Sequence, residues 1–379
     1  MKSIRLGLVF VLVILSACKS KTKMEDTIAE EEKVVDTFKV SEPRLFLDLP
    51  DHFNSPASCE IDGSGNIYFT SPNLHNEALI KAGSMTTPQV PTIGKVDNSN
   101  QLSTWYTFKP EDMDKVSGKI APFGTAFGPD GHLYVADMQL WFNSTSRILR
   151  IKVENGVAVG VEVVAIGTSF PNALAWRGND LFISDTVLEE LEDGKHVSGV
   201  YKVNLSELNP ENPLRINPYV SATDKDAHLF ETFVSNGSLK FGANGLAIDG
   251  DGNMYTGIME DGTVFKTLID SNGNKVTTSL FTEGMVAPDG LKWDAGTNRF
   301  FITDVFANAV YTIDMEGKLT LLAQNGNTDG ADGKLDAPSE VVVRGDEIVI
   351  MNFDAAFDNP KMVNKTPDKP YTLSVMTIE

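Results

Sequence analysis

Cysteine is nearly absent from this 379-residue chain: only Cys18 and Cys59 occur. No disulfide framework can be built from so few, so a packed core must hold the fold. Long apolar runs are missing as well. The run Leu6 to Leu15 is too short to cross a bilayer as a helix. Positive charge is scarce, with 32 Lys and Arg against 52 Asp and Glu and a formal net charge of −20. That balance repels phosphate backbones and no basic block interrupts it, which argues against nucleic-acid binding. The five histidines, His52, His75, His132, His196 and His228, show no metal-ligand spacing. No G-x-S-x-G elbow, P-loop or paired C-x-x-C occurs, and helical periodicity is nearly lacking. What the chain does have is a 41% share of hydrophobic residues, enough for a large core, so wholesale disorder is excluded.

At the N-terminus, Lys2 and Arg5 precede the apolar run, which ends at Leu15-Ser16-Ala17-Cys18. This is the layout of a secretory signal. A cysteine directly after small residues resembles the bacterial lipoprotein signal, in which that cysteine is acylated and becomes the new amino terminus. The resemblance implies a signal peptide over 1–17, lipidation at Cys18, and a cell-envelope location, periplasmic or surface-exposed. The membrane would then be touched through the lipid anchor only. The segment 18–40 is charged and poor in aromatics and reads as a solvated tether. Cys59 lies in the strand-like SCEID and is expected as a small buried hydrophobe.

From residue 41 to 379 one phrase recurs six times: a short apolar run, a Gly/Asp turn, then a β-branched and aromatic run. The copies are PASCEIDGSGNIYFTS, PFGTAFGPDGHLYVAD, PNALAWRGNDLFISD, ANGLAIDGDGNMYTG, PDGLKWDAGTNRFFITD and PSEVVVRGDEIVIMN. Each predicts two strands joined by a tight turn, with Asp-Gly or Gly-Asn supplying positive φ. Second strands marked by Tyr68, Tyr134, Phe182, Tyr255, Phe301 and Val349 repeat at about 47 residues, the period of a propeller blade, once two insertions are set aside. Further alternating runs such as SRILRIKV, TVFKTLI and AVYTIDM lie between the copies. The fold class is therefore all-β: a six-bladed β-propeller with four-stranded blades. PRLFLDL, residues 43–49, has no copy ahead of it and is expected to close the ring as the outer strand of the last blade. The insertions span about 72–102 and 186–232, and composition does not separate lids from disorder there.

Aligning the copies at the residue before the first apolar run brings Ala57, Phe123, Asn172, Asn244, Asp289 and Ser339 to equivalent places. In a propeller these places surround one mouth of the central channel. Asn172, Asn244 and Asp289, from three successive blades, form an oxygen set of the kind that hard cations take, calcium in particular.

These phrases, above all PNALAW, ANGLAIDGDG and PDGLKWD, resemble the calcium-dependent six-bladed propellers that include gluconolactonase, regucalcin, paraoxonase and the squid-type phosphotriesterase. The resemblance covers about residues 43–379. In the gluconolactonase branch calcium is held by a Glu of the first blade, an Asn of the fourth and an Asp of the fifth, with a third-blade Asn on substrate or metal. It implies calcium as cofactor, Asn172, Asn244 and Asp289 as metal ligands, Asn172 also at a small-molecule substrate, and Asp289 as the residue that orients or deprotonates water. Two positions depart. Ala57 stands where the first-blade Glu belongs, and Glu60 is three residues further along the strand, ~10 Å away and on the other face. Phe170 stands where the sugar-lactone enzymes carry an arginine.

Two readings follow. One is a metal-dependent hydrolase of a lactone or related ester with its site at the channel mouth. The other is a non-catalytic, envelope-anchored propeller used as a binding or scaffold module, which Ala57 and Phe123 favour. Elsewhere, Asn325-x-Asn327-x-Asp329-Gly330 followed by Asp336 has the spacing of a helix-loop-helix calcium loop, but strand-like flanks predict a plain interblade loop. Asp137, Asp185 and Asp304 are expected to bond backbone at the blade mouths. His75 and His228, in or beside the insertions, are placed where they would overhang the mouth or be solvated.

Overall fold

A computed structural model describes residues 38–354 and 357–379. The signal segment 1–17, Cys18 and all but the end of the 18–40 tether lie outside the described residues. The six copies fold as six antiparallel sheets in chain order. Their innermost strands are Ser58–Ile61, Pro122–Phe127, Pro171–Arg177, Ala243–Ile248, Pro288–Asp294 and Pro338–Arg344. The turn phrase explains itself physically. Gly65, Gly131 and Gly252 all sit near φ +80°, a conformation that a Cβ disfavours. Beside them Asp62, Asp130 and Asp249 accept turn N–H groups and also the hydroxyls of Tyr68, Tyr134 and Tyr255, the aromatics that mark the next strand.

Much of the core lies between blades, with smaller clusters around Ala57 and Phe123 at the hub mouth. Tyr134 and Ile148 of the second blade pack on Leu174 and Ile183 of the third, and Phe301 of the fifth on Val341 and Ile350 of the sixth. Cys59 is fully buried in the layer between the first and sixth blades, as expected, and burial pushes its thiol well up.

Arg44–Leu49 closes the ring. It pairs antiparallel with Tyr371–Thr377, from Arg44 opposite Val375 to Leu49 opposite Tyr371, and is the outer strand of the sixth blade. The expected tether ends sooner than residue 40. Phe38 stacks on Phe301 with ring centroids 5.9 Å apart, and Val40 bridges Ile378, because both are apolar residues beside an open edge.

The insertions are ordered parts of the fold. The first carries the short helix Asn76–Lys81, held by buried Leu79, and conceals the strand Thr92–Val96. The second lengthens the third blade's hairpin and then sends Leu214–Arg215 back as a fifth strand, parallel to Val157–Ile166, on the second blade. That blade therefore departs from the four-stranded expectation.

Candidate functional site at the hub

Ala57, Phe123, Asn172, Asn244, Asp289 and Ser339 all line one cavity at the start of the inner strands, with about 650 Å³ of space counting its open mouth. Five of the six inner strands carry a register irregularity at that end, for example between Pro171 and Leu174 and between Pro288 and Leu291. Such bulges re-aim side chains locally, which turns successive residues toward the hub.

The residue after each aligned position is small in five blades: Ser58, Gly124, Ala173, Gly245 and Gly290. The reason is close approach. A Cβ on Gly124 would lie 1.8 Å from the Asn172 carbonyl, and one on Gly245 would lie 2.3 Å from the Asp289 carbonyl. In the sixth blade this residue is Glu340. Its carboxylate fills the room left by Gly290, whose Cβ would lie 2.2 Å from Glu340 Oε1, and Ser58 Oγ donates to its Oε2 at 3.4 Å. Glu340 lines the same cavity, so the hub holds two carboxylates where the alignment gave one.

Their electrostatics are linked. Burial, and then the charge of Glu340, raise the Asp289 carboxyl well above its usual range, while the Asn244 amide opposes this by hydrogen bonding to it. Burial raises Glu340 to about 6 against the pull of Lys292. Lys292 Nζ lies 3.8 Å from Glu340 and 3.4 Å from Glu60. Burial works to discharge that lysine, but the two carboxylates outweigh it and keep it charged. Glu60 thus faces Lys292 further down the channel and does not line the cavity.

Above the oxygen donors stands an aromatic rim of Phe123, Trp141, Phe170, Phe241, Phe353 and Phe357. Phe170 meets Phe123 edge-on at 5.7 Å and Trp141 at 5.3 Å, so the place of the sugar-lactone arginine is held by a ring cluster. Asn172 donates through Nδ2 to Thr186 Oγ1 at 3.4 Å. Two amides and two carboxylates around one cavity offer only oxygen donors of use to a cation, and this set fits calcium better than a softer metal.

Other candidates resolve as structure. Asp137 accepts from Ala121 N and from Arg147, Asp185 from Ser169 N and Phe170 N, and Asp304 from Val286, Ala287 and Ala307 N. Each ties the chain entering a blade to that blade's second strand. No histidine lines the cavity. His75 does not overhang it and is not solvated: it is buried, bonds the Asn54 carbonyl at 3.1 Å, and is pushed down to about 4 by burial. His228 is held within the second insertion between Asp226 and Glu207. Residues 325–336 form an interblade loop, as their flanks predict, with a single turn at Ala331–Gly333.

No family model matches the sequence, and no curated protein matches it. Solved structures do. A gluconolactonase candidate superposes with a TM-score of 0.52 at 14% identity, over 90% of this chain and 98% of that one. A luciferin-regenerating enzyme gives 0.53 at 12%, over 89% and 94%. The PQQ-bound aldose sugar dehydrogenase of Streptomyces coelicolor gives 0.54 at 13%, over 90% and 98%. At such identities the likeness is one of fold, and enzymes of different chemistry share it. The chain is a six-bladed β-propeller whose structural neighbours include gluconolactonase-like and luciferin-regenerating proteins.

Proposed function

We propose that the protein is a metal-dependent hydrolase of a lactone or related ester, acting at the hub cavity. The observation that carries this reading is the convergence of Asn172, Asn244, Asp289 and Glu340 on one cavity under an aromatic rim. These four would hold calcium, which when bound supplies positive charge for a developing oxyanion. Glu340 offers from the sixth blade the second negative charge that Ala57 lacks in the first.

The chain's own groups do the rest. Phe123, Trp141 and Phe170 exclude water and pack the apolar part of a substrate. Asn172 sits where an amide can orient an ester oxygen. Asp289, lodged between Asn244 and Glu340, positions the attacking water. In the same reading residues 1–17 are a signal and lipidated Cys18 holds the propeller at the cell envelope as its only membrane anchor; Cys18→Ser should release it from the membrane fraction.

The test is calorimetry with calcium alone, beside hydrolysis of small lactones. Asp289→Asn and Glu340→Gln should each weaken calcium binding more than Asn172→Ala, because charge count governs such sites, and hydrolysis should fall in parallel. A specific observation favours the second reading, a binding module without catalysis: Ala57 and the Phe170 cluster replace a ligand and a substrate contact. Lactone binding without turnover in calcium-loaded protein would establish that reading instead.

A further inference from the structure

The sixth blade carries a second group of carboxylates, none of which lines the hub cavity. Asp336 enters its innermost strand, Asp354 follows its second strand, and Asp368 lies in the connection to its third. One oxygen from each lies within 4.8 Å of the others. Asp336 and Asp354 are 2% and 3% exposed, and Asp368 is half-buried. Among the described residues no lysine or arginine pairs with any of them. Lys369 Nζ is engaged by Asp51 at 2.6 Å and Lys365 Nζ by the Met362 carbonyl. The remaining charged neighbour, Asp329, is also negative.

An independent sign of a missing ligand lies in the hydrogen bonds. Asp336 accepts from Asn364 Nδ2, and Asp354 Oδ2 accepts from Asp368 N at 2.8 Å. Asp354 Oδ1 and Asp368 Oδ1, however, are shut from solvent and meet no donor, as is the hydroxyl of buried Tyr371. A carboxylate oxygen so placed loses its hydration with nothing in return. A single cation within the cluster would answer both of these oxygens at once.

We propose that Asp336, Asp354 and Asp368 bind one calcium ion, which staples the connection 353–370 to the sixth blade. The ligands are all hard oxygens. Two oxygens on one calcium, each ~2.4 Å away, stand at most ~4.8 Å apart, whereas magnesium at ~2.1 Å would require them to close up. The stapled connection supplies Phe353 and Phe357 to the hub rim, so this ion shapes the mouth without touching it.

The test uses the full chain, stripped with chelator and titrated with calcium chloride alone, read by calorimetric stoichiometry and by melting temperature. Asp289→Asn, a hub change, should keep a calcium-dependent rise in melting temperature. Asp368→Asn and Asp354→Asn should each lose one calcium equivalent, its affinity falling ~100-fold, yet melt in chelator at or above wild type because a repelling charge is gone. An unchanged stoichiometry in Asp368→Asn and Asp354→Asn overturns the site. So does a lower melting temperature of Asp368→Asn in chelator, which would mean that the carboxylates hold one another by shared protons. The hub reading fails separately, when Asp289→Asn binds as much calcium as wild type.

Discussion

At Gly290 a single hydrogen atom determines what the hub can hold. A Cβ there would meet Glu340 Oε1 at 2.2 Å and the Ser339 carbonyl at 2.5 Å, and only the first of these can move. Gly290→Ala should therefore displace the Glu340 carboxylate, cost about 1–3 kcal/mol of stability as an overpacked substitution, and weaken calcium binding at the hub. Melting in chelator and calorimetry would read the two effects separately; unchanged values in both would refute the packing argument. The aligned phrases already held a trace of Glu340, because small residues follow the mouth position in five blades and a glutamate follows it in the sixth. Its direction was not legible. Strand alternation turns the residue after Ser339 away from the hub, and only the register shift between Pro338 and Glu340 brings it back. Asn172, Asn244 and Asp289 were legible because their blades share one phrase, so position in the copy gives position in space.

Among elements, the second insertion shows what a pattern of repeats leaves out. Its strand Leu229–Ser235 is ordinary in composition, but the long excursion ahead of it hid its place, and Leu214–Arg215 is too short to carry any alternation. The Asp336, Asp354 and Asp368 cluster escaped for a related reason: its members come from three segments and meet only after the blade has folded. Within the insertion, His228 lies 2.7 Å from Asp226 and 3.0 Å from Glu207. Burial alone would lower the His228 pKa, but the two carboxylates outweigh it and raise it. Its stabilisation is thus complete below the unfolded histidine value of about 6.5 and is lost as pH rises through the higher folded value. The Glu207 carboxyl is lowered first by its bond to His228; Asp226 is lowered despite burial, by backbone and His228 hydrogen bonds. Their share is present above the ordinary carboxylate range and is lost as pH falls through the depressed values. Amide-exchange protection factors over residues 205–229, with the intrinsic base-catalysed rate divided out, should be highest between these limits and fall toward pH 8. His228→Ala should abolish that fall, and wild-type protection factors that stay constant from pH 6 to 8 would count against the pairing.

For the whole molecule the decisive contact joins the first described strand to the last. Arg44–Leu49 covers the edge of Tyr371–Thr377, and Gly333 passes so close beneath it that a Cβ would lie 1.8 Å from Leu45 N. Deleting residues 19–37 should leave the ring closed, because it spares both the packing of Phe38 on Phe301 and the Val40 bridge. Deleting 19–50 removes a strand's ladder and its apolar face and should unfold the ring. Deleting 19–40 should fall between them, through the loss of Phe38 on Phe301 and of the Val40 bridge. Equal melting temperatures for all three would show that closure is made elsewhere. Here the composition of PRLFLDL was sufficient, since an unpaired strand pattern ahead of six complete repeats has one vacant edge to fill.

That seam also sets a timetable. Arg44 pairs with Val375, so a residue already made waits for one that follows it by 331 positions (375 − 44). Until Tyr371–Thr377 has been made, the sixth blade lacks a strand and the first blade lacks half the layer that buries Cys59 and Phe69. Loop-closure entropy over so long a separation falls on the final step, which slows folding. A nascent chain of this design keeps its ring open at one edge through most of its synthesis. Under the export signal proposed above, that delay would be the interval in which the chain is threaded through a membrane before it becomes too bulky to pass.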